Sequence, residues 1–236
     1  MKTTKSLFLT LTLALFSTYA FAQFTSTKMN NAGTAHNFAT GTGANEGGTA
    51  SNYTFAASAT AGDGNGQCAV CHTPHNAATA AYPLWDHDAT STAFDLYDNT
   101  VSSTIDGTVS MSNSGSSLCL GCHDGSANLD SYGKAISTGT AMAAGDAYAN
   151  FGSDLTNDHP IAISYPWTAN AASEQMVDPA TLIADGGWLY GTGTASSGTL
   201  TVECASCHSM HNPAVTSRLL RETNDNSALC FTCHLK

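Results

Sequence analysis

Cys68-Ala-Val-Cys71-His72-Thr-Pro-His75-Asn76 and Cys204-Ala-Ser-Cys207-His208-Ser-Met-His211-Asn212 are two copies of one local pattern. Each opens with C-x-x-C-H and places a second histidine three residues later. The five-residue core recurs twice more, as Cys119-Leu-Gly-Cys122-His123 and Cys230-Phe-Thr-Cys233-His234. All 8 cysteines fall in these motifs. The motifs are unevenly spaced, which excludes a solenoid of equal repeats. The chain reads instead as two parts, each a doubled-histidine motif followed by a plain one.

The spacing has a chemical reason. Two residues between the cysteines let both thiols reach the two vinyl groups on one edge of a porphyrin. The next residue is then turned onto an axial position of the iron. C-x-x-C-H is accordingly the attachment pattern of c-type haem. Four disulfides would also use eight cysteines in an exported chain, and paired C-x-x-C can build zinc sites. Neither requires histidine directly after the second cysteine. His is only 9 of 236 residues, so four such placements by chance have odds on the order of one in several hundred thousand for a C-x-x-C-H pattern. The expected cofactors are four haem c groups with their irons. Cys68/Cys71, Cys119/Cys122, Cys204/Cys207 and Cys230/Cys233 form the thioethers, and His72, His123, His208 and His234 are the proximal ligands.

Four irons leave four distal positions, and five histidines remain: His36, His75, His87, His159 and His211. His75 and His211 each follow a proximal histidine by three residues, which places the two on one face of a helical turn. One imidazole cannot reach the far side of the same iron from there, so each is expected to serve a neighbouring haem, and the haems are expected in close pairs. His159 precedes Pro160, which holds it extended. Either His36 or His87 is then the spare. The acids flanking His87 predict exposure and favour it in that role, leaving His36, His75, His159 and His211 as distal ligands. Methionine is the other distal option and raises the potential of the haem it binds. With enough histidine present, four bis-His, low-potential haems are expected. Filled axial positions leave no iron open to substrate, so an electron carrier is expected and not an enzyme. Asp63-Gly-Asn65-Gly resembles part of a calcium loop but lacks the terminal Glu. Trp85, Trp167, Trp188 and Tyr165 are expected to pack on porphyrin.

The N-terminus has the layout of an export signal: Lys2 and Lys5, an apolar run from Leu7 to Phe16, then Ala20-Phe21-Ala22. The run is too short to span a membrane. The predicted divisions are a signal peptide over 1–22, a Gly/Ala/Thr-rich arm over 23–66, and a cytochrome domain over 67–236. The formal net charge is −11, and cleavage removes Lys2 and Lys5, leaving the chain more acidic still. Nucleic acid is excluded as a partner on charge. With 21 glycines, few strong apolar periods and an alanine-heavy apolar fraction, the side chains alone make a thin core. The expected fold is mostly irregular loop with a few short helices and minimal strand, organised around four haems. Helical turns are predicted at each motif, over 217–222, and from Asp178 to Ala184 behind Pro179. A brief strand is predicted over 199–202.

Cys68-x-x-Cys-His-Thr-Pro-His75, Pro83-Leu-Trp-Asp-His87, Leu118-Cys-Leu-Gly-Cys-His-Asp-Gly125, Asp158-His-Pro-Ile161 and Cys204-x-x-Cys-His-x-x-His211 resemble the multihaem c-type cytochromes of metal-reducing bacteria. With four haems and an early arm histidine, the chain is most similar to tetrahaem cytochromes that polymerise into extracellular filaments. That resemblance implies stacked bis-His haems and one distal histidine supplied by a neighbouring copy, with His36 or another arm residue as the donor. A head-to-tail contact of this kind is heterologous and extends into an open filament unless its rotation closes. The implied partners are further copies of the chain, other redox proteins and external electron acceptors, at the cell surface or beyond. A soluble periplasmic tetrahaem shuttle is the alternative, and a haem reductase comes third.

Overall fold

The computed structural model describes residues 36, 42–44, 50–54, 68–73, 75–77, 82, 84–132, 141–142, 149–167, 175–191, 200–215 and 218–235. The expected signal peptide, most of the arm and the Asp63–Gly66 segment lie outside them. Among the described residues no helix is long and apolar enough to cross a membrane. The described residues are mostly loop, with a few short helices and two small two-stranded sheets.

The arm is less irregular than its composition predicts. Strand β1 (Thr42–Ala44) pairs antiparallel with β2 (Ala50–Thr54). The second sheet pairs β3 (Ile163–Ser164) with β4 (Thr201–Val202), joining Ile163 to Val202 and Ser164 to Thr201. Val109 bridges to Ile163 on one side, and Tyr190 bridges to Thr201 on the other. Gly107 is needed beside this sheet, because a Cβ there would collide with the Ser164 carbonyl.

Helix α1 (Ser116–His123) carries the second motif along its length. Helix α2 (Pro179–Ala184) starts where Pro179 predicts, with the Asp178 carboxylate accepting from the Ala180 amide at its N-cap. Helices α3 (Cys204–Cys207) and α4 (Ala228–Phe231) are single turns that begin the third motif and enter the fourth. The helix expected over 217–222 is not formed in the described part of that range. Leu219 has φ 55°, in the left-handed region, and the chain there folds back to bridge Leu220 with His208. Backbone pairing to the third motif wins over local helical propensity.

That pairing recurs. The Thr73 amide donates to the Leu84 carbonyl and the Asp86 amide to the Cys71 carbonyl. At the third motif, the Ser209 amide donates to Leu219 and the Arg221 amide to Cys207. At the fourth, the Leu235 amide donates to Gln175 and the Val177 amide to Cys233. In all three the proximal histidine sits in an antiparallel bridge, to Trp85, Leu220 and Met176 respectively.

Two apolar clusters complete the interior. Val70, Leu129 and Tyr132 pack with Cys71, Cys122 and Met142, between the first two motifs. Tyr165, Leu182, Leu189 and Leu200 pack with Trp167, Met176, Trp188 and Cys233, against the fourth. Both clusters include attachment cysteines, so the interior is built around the motifs.

Candidate haem sites

Each motif turns through the same hydrogen bond, from the histidine amide to the carbonyl of the first cysteine. It is 2.8 Å at His72, 3.0 Å at His208 and 2.9 Å at His234. This one turn puts two thiols on one side and delivers the imidazole beside them. At the second motif the helix continues, and Gly121 has a reason to lack a side chain. A Cβ there would meet the Asp88 carbonyl at 2.7 Å, where the segment carrying His87 crosses α1.

None of the eight cysteines is joined to another in a disulfide. Their mutual fields trace a sequence. Cys71 acts on Cys119 and Cys122, Cys119 is hydrogen-bonded to Cys204, and Cys207 faces Cys230 and Cys233. The attachment sites are thus neighbours in chain order. Burial pushes Cys71 up to about 11, with Cys68 adding to it. Burial, then Cys71 and Asp124, push Cys122 to about 12.

Six of the imidazoles lie in three pairs. Ring centroids are 6.2 Å apart for His72 and His211, 6.4 Å for His159 and His234, and 5.7 Å for His36 and His123. Two imidazoles on opposite sides of one metal, each bonded at about 2 Å, hold their centroids roughly 6 Å apart. His211 faces the first motif's histidine and not its own His208, as the three-residue spacing predicts. Burial lowers the His72 pKa, with His211 adding to it, and burial followed by His159 lowers His234. His36 is pushed down to about 3 by burial, then by His123 and His208. These rings are held neutral, the form that binds metal.

A second feature orients them. His123 Nδ1 lies 2.6 Å from the Ala149 carbonyl, His159 Nδ1 3.0 Å from Pro160, and His208 Nδ1 2.9 Å from Arg218. An Nδ1–H given to a carbonyl leaves Nε2 as the metal-binding nitrogen.

His36 lies against His123 of its own chain. One expectation needs correction: His87 is not exposed. It is 1% accessible, with Nδ1 2.9 Å from the Asp88 carbonyl and Nε2 3.3 Å from Cys122 Sγ. Its acidic flanks misled because Asp86 is itself buried and the Asp88 carboxylate is occupied by the Ser131 hydroxyl. Among the described residues neither His75 nor His87 stands opposite a proximal imidazole, and His75 is exposed.

Sequence reasoning missed two buried carboxylates. Asp124, directly after His123, accepts from the hydroxyls of Thr90, Thr92 and Ser126 and from the Ser126 amide. Burial pushes its carboxyl up, but these bonds more than offset that and leave it below its ordinary value. Glu203, directly before Cys204, is held by Ser114, Ser116 and Thr201. Their position flush against a motif was the available signal.

The residues present fit haem c. Among the described residues no three of His, Cys, Asp or Glu converge as a zinc site requires. Three proximal imidazoles, His72, His123 and His234, are paired at the spacing of two axial ligands. The Trp85 indole N–H is buried without a hydrogen-bond partner and lies edge-on to His72, with ring centroids 6.0 Å apart. A haem propionate held there would satisfy this donor.

Residues 199–236, which contain the third and fourth motifs, match the family model of the doubled CXXCH motif. The motifs indicate covalently bound haem c with iron, and the match supports a multihaem c-type cytochrome. No curated protein matches the chain.

Proposed function

We propose that the chain is an exported electron carrier with four bis-His c-type haems, whose copies join head to tail into an extracellular filament. The observation that carries the electron-transfer reading is the set of opposed imidazole pairs beside cysteine pairs. When bound, the haem irons supply one-electron redox chemistry. The chain's own residues hold and space the irons. The assigned axial pairs are His72/His211, His123/His36 and His234/His159. Neighbouring attachment sites give a continuous route from the first motif to the fourth. With axial positions filled by histidine, the protein is a conduit and not a catalyst. Carbon monoxide binding by the reduced wild-type protein would reveal an open iron and restore an enzymatic reading.

The filament rests on what remains unpaired. Among the described residues the histidine whose field meets that of His208 is His36, which also lies against His123, and His75 is exposed beside the first motif. Supplying His208 of one copy with His75 of the next makes a heterologous contact, which extends into an open assembly. One observation favours a second reading. His211, three residues after His208, faces His72; by the same exchange His75, three residues after His72, would face His208 within one chain. That arrangement is complete as a monomer and makes a periplasmic shuttle.

Electron microscopy of secreted wild-type protein separates the two. Filaments that dissociate in the His75→Ala variant, with one haem gaining carbon monoxide reactivity, are the expected result. A wild-type monomer with four low-spin haems and no carbon monoxide binding would overturn the filament.

A further inference from the structure

The second and third motifs meet through one acid. Glu203 is 5% accessible. Its Oε2 accepts from Ser114 Oγ at 2.5 Å, Ser116 Oγ at 2.5 Å and the Ser116 amide at 3.1 Å, and its Oε1 accepts from Thr201 Oγ1 at 2.8 Å. Ser116 opens α1, three residues before Cys119, and its Oγ also accepts from the Cys204 amide at 2.9 Å. The Glu203 amide donates to Ser206 Oγ at 2.9 Å, inside the third motif. One side chain therefore ties the start of the second attachment helix to the start of the third.

Three hydroxyls and a backbone amide all donate to this carboxyl, which is the pattern of an ionised, acceptor-only group. Its partners among the described residues are neutral. The Tyr82 phenol registers the charge: burial pushes its pKa up, and Glu203 pushes it further. An uncompensated charge away from water acts strongly on its neighbours, because little solvent screens it. Here the neighbours are two haem attachment segments, one beginning at the very next residue.

We propose that Glu203 sets the potentials of the haems carried by the second and third motifs, its negative charge disfavouring reduction at both. It acts through the field and touches no iron, so it is a positioning and tuning residue. The inference rests on the haem-carrying reading above. A unit charge acting over roughly 10 Å at an effective dielectric near 20 changes a one-electron equilibrium about tenfold.

The Glu203→Gln variant removes the charge and keeps the shape. The amide oxygen can take the place of Oε2, and the amide nitrogen can donate to Thr201, whose hydroxyl is able to accept. Spectroelectrochemical titration of the haem-loaded variant against wild type reads the effect. The expected result is full haem content, an unchanged low-spin spectrum, and at least one midpoint raised by about tenfold in the reduced-to-oxidised ratio, about 59 mV for one electron. Thr201→Val is the companion. It keeps the carboxylate and removes the Thr201 donor on Oε1, so the same midpoints should fall. Fully loaded Glu203→Gln protein with wild-type midpoints overturns the proposal. If Glu203→Gln does not fold, unmoved midpoints in Thr201→Val overturn it. Wild-type protein lacking covalent haem would instead overturn the underlying electron-transfer reading, so the two failures are distinct.

Discussion

The first and third motifs share a sequence pattern, and they share a local structure as well. Each turns through C-x-x-C-H and then pairs with a returning segment through a leucine of left-handed backbone, Leu84 with φ 63° and Leu219 with φ 55°. Their surroundings differ. Leu84 is 50% accessible and Leu219 is 3% accessible. Cys68 is exposed, whereas Cys204 is half-buried and hydrogen-bonded to Cys119. The third motif is tied to α1 through Glu203 and Ser116, while the first stands at an edge with His75 on its surface. A repeated pentapeptide therefore sets conformation. Position in the chain of neighbours sets burial and electrostatic environment.

The strongest test of that distinction removes a cysteine pair from each. Replacing Cys204 and Cys207 by alanine takes away a group that the second and fourth attachment sites both face, and little apolar side chain remains to fill the space. Protein bearing these changes is expected not to accumulate. Replacing Cys68 and Cys71 should leave a folded, secreted chain with one haem fewer, counted by intact mass. Equal accumulation of the two variants would break the comparison.

A milder test uses the leucines. Leu219→Ala is expected to destabilise by about 2–4 kcal/mol, the range for a large-to-small change at a closed site. Leu84→Ala should cost less than about 0.5 kcal/mol, as exposed substitutions do. Thermal melts of the haem-loaded variants measure both. A similar loss at each would mean that Leu84 is also covered in solution, as it would be inside a filament, and dilution would then separate the two cases.

The leucines also show what was legible in advance. The haem-attachment residues were readable because covalent chemistry fixes their spacing, and sparse regular structure followed from the lack of apolar period. The helix at Pro179 was readable because its cap is local. The returning segments were not. Ser217–Glu222 contains good helix formers, and nothing within it reports that Leu220 will pair with His208. Comparing it with Leu84-Trp85, at the same place after the other doubled motif, was the signal that could have found it. His87 was misjudged for a related reason. Its neighbours in sequence are acids, but Asp88 presents its carbonyl to the ring and its carboxylate to Ser131. The position of Glu203 beside a motif was legible, but its hydrogen bonds were not, because Ser114 and Ser116 lie far away in the chain.

The smallest expected effect tests the shared conformation itself. Left-handed backbone costs an L-residue about 1–2 kcal/mol, which glycine avoids. Glycine also has more freedom to lose on folding, by about 0.5–1 kcal/mol relative to alanine. The net expectation is that Leu84→Gly is more stable than Leu84→Ala by about 0.5–1 kcal/mol, the reverse of the order found in ordinary helix or strand. The same difference should appear between Leu219→Gly and Leu219→Ala, even though both have lost the buried side chain. Burial cancels in each glycine-minus-alanine comparison, so only backbone conformation is left. Equal differences at the two sites, read from the same melts, would show that the repeat determines geometry independently of environment. Alanine more stable than glycine at position 84 alone would mean that the first motif adopts its turn by a different route, and that the likeness of the two segments ends at the histidine.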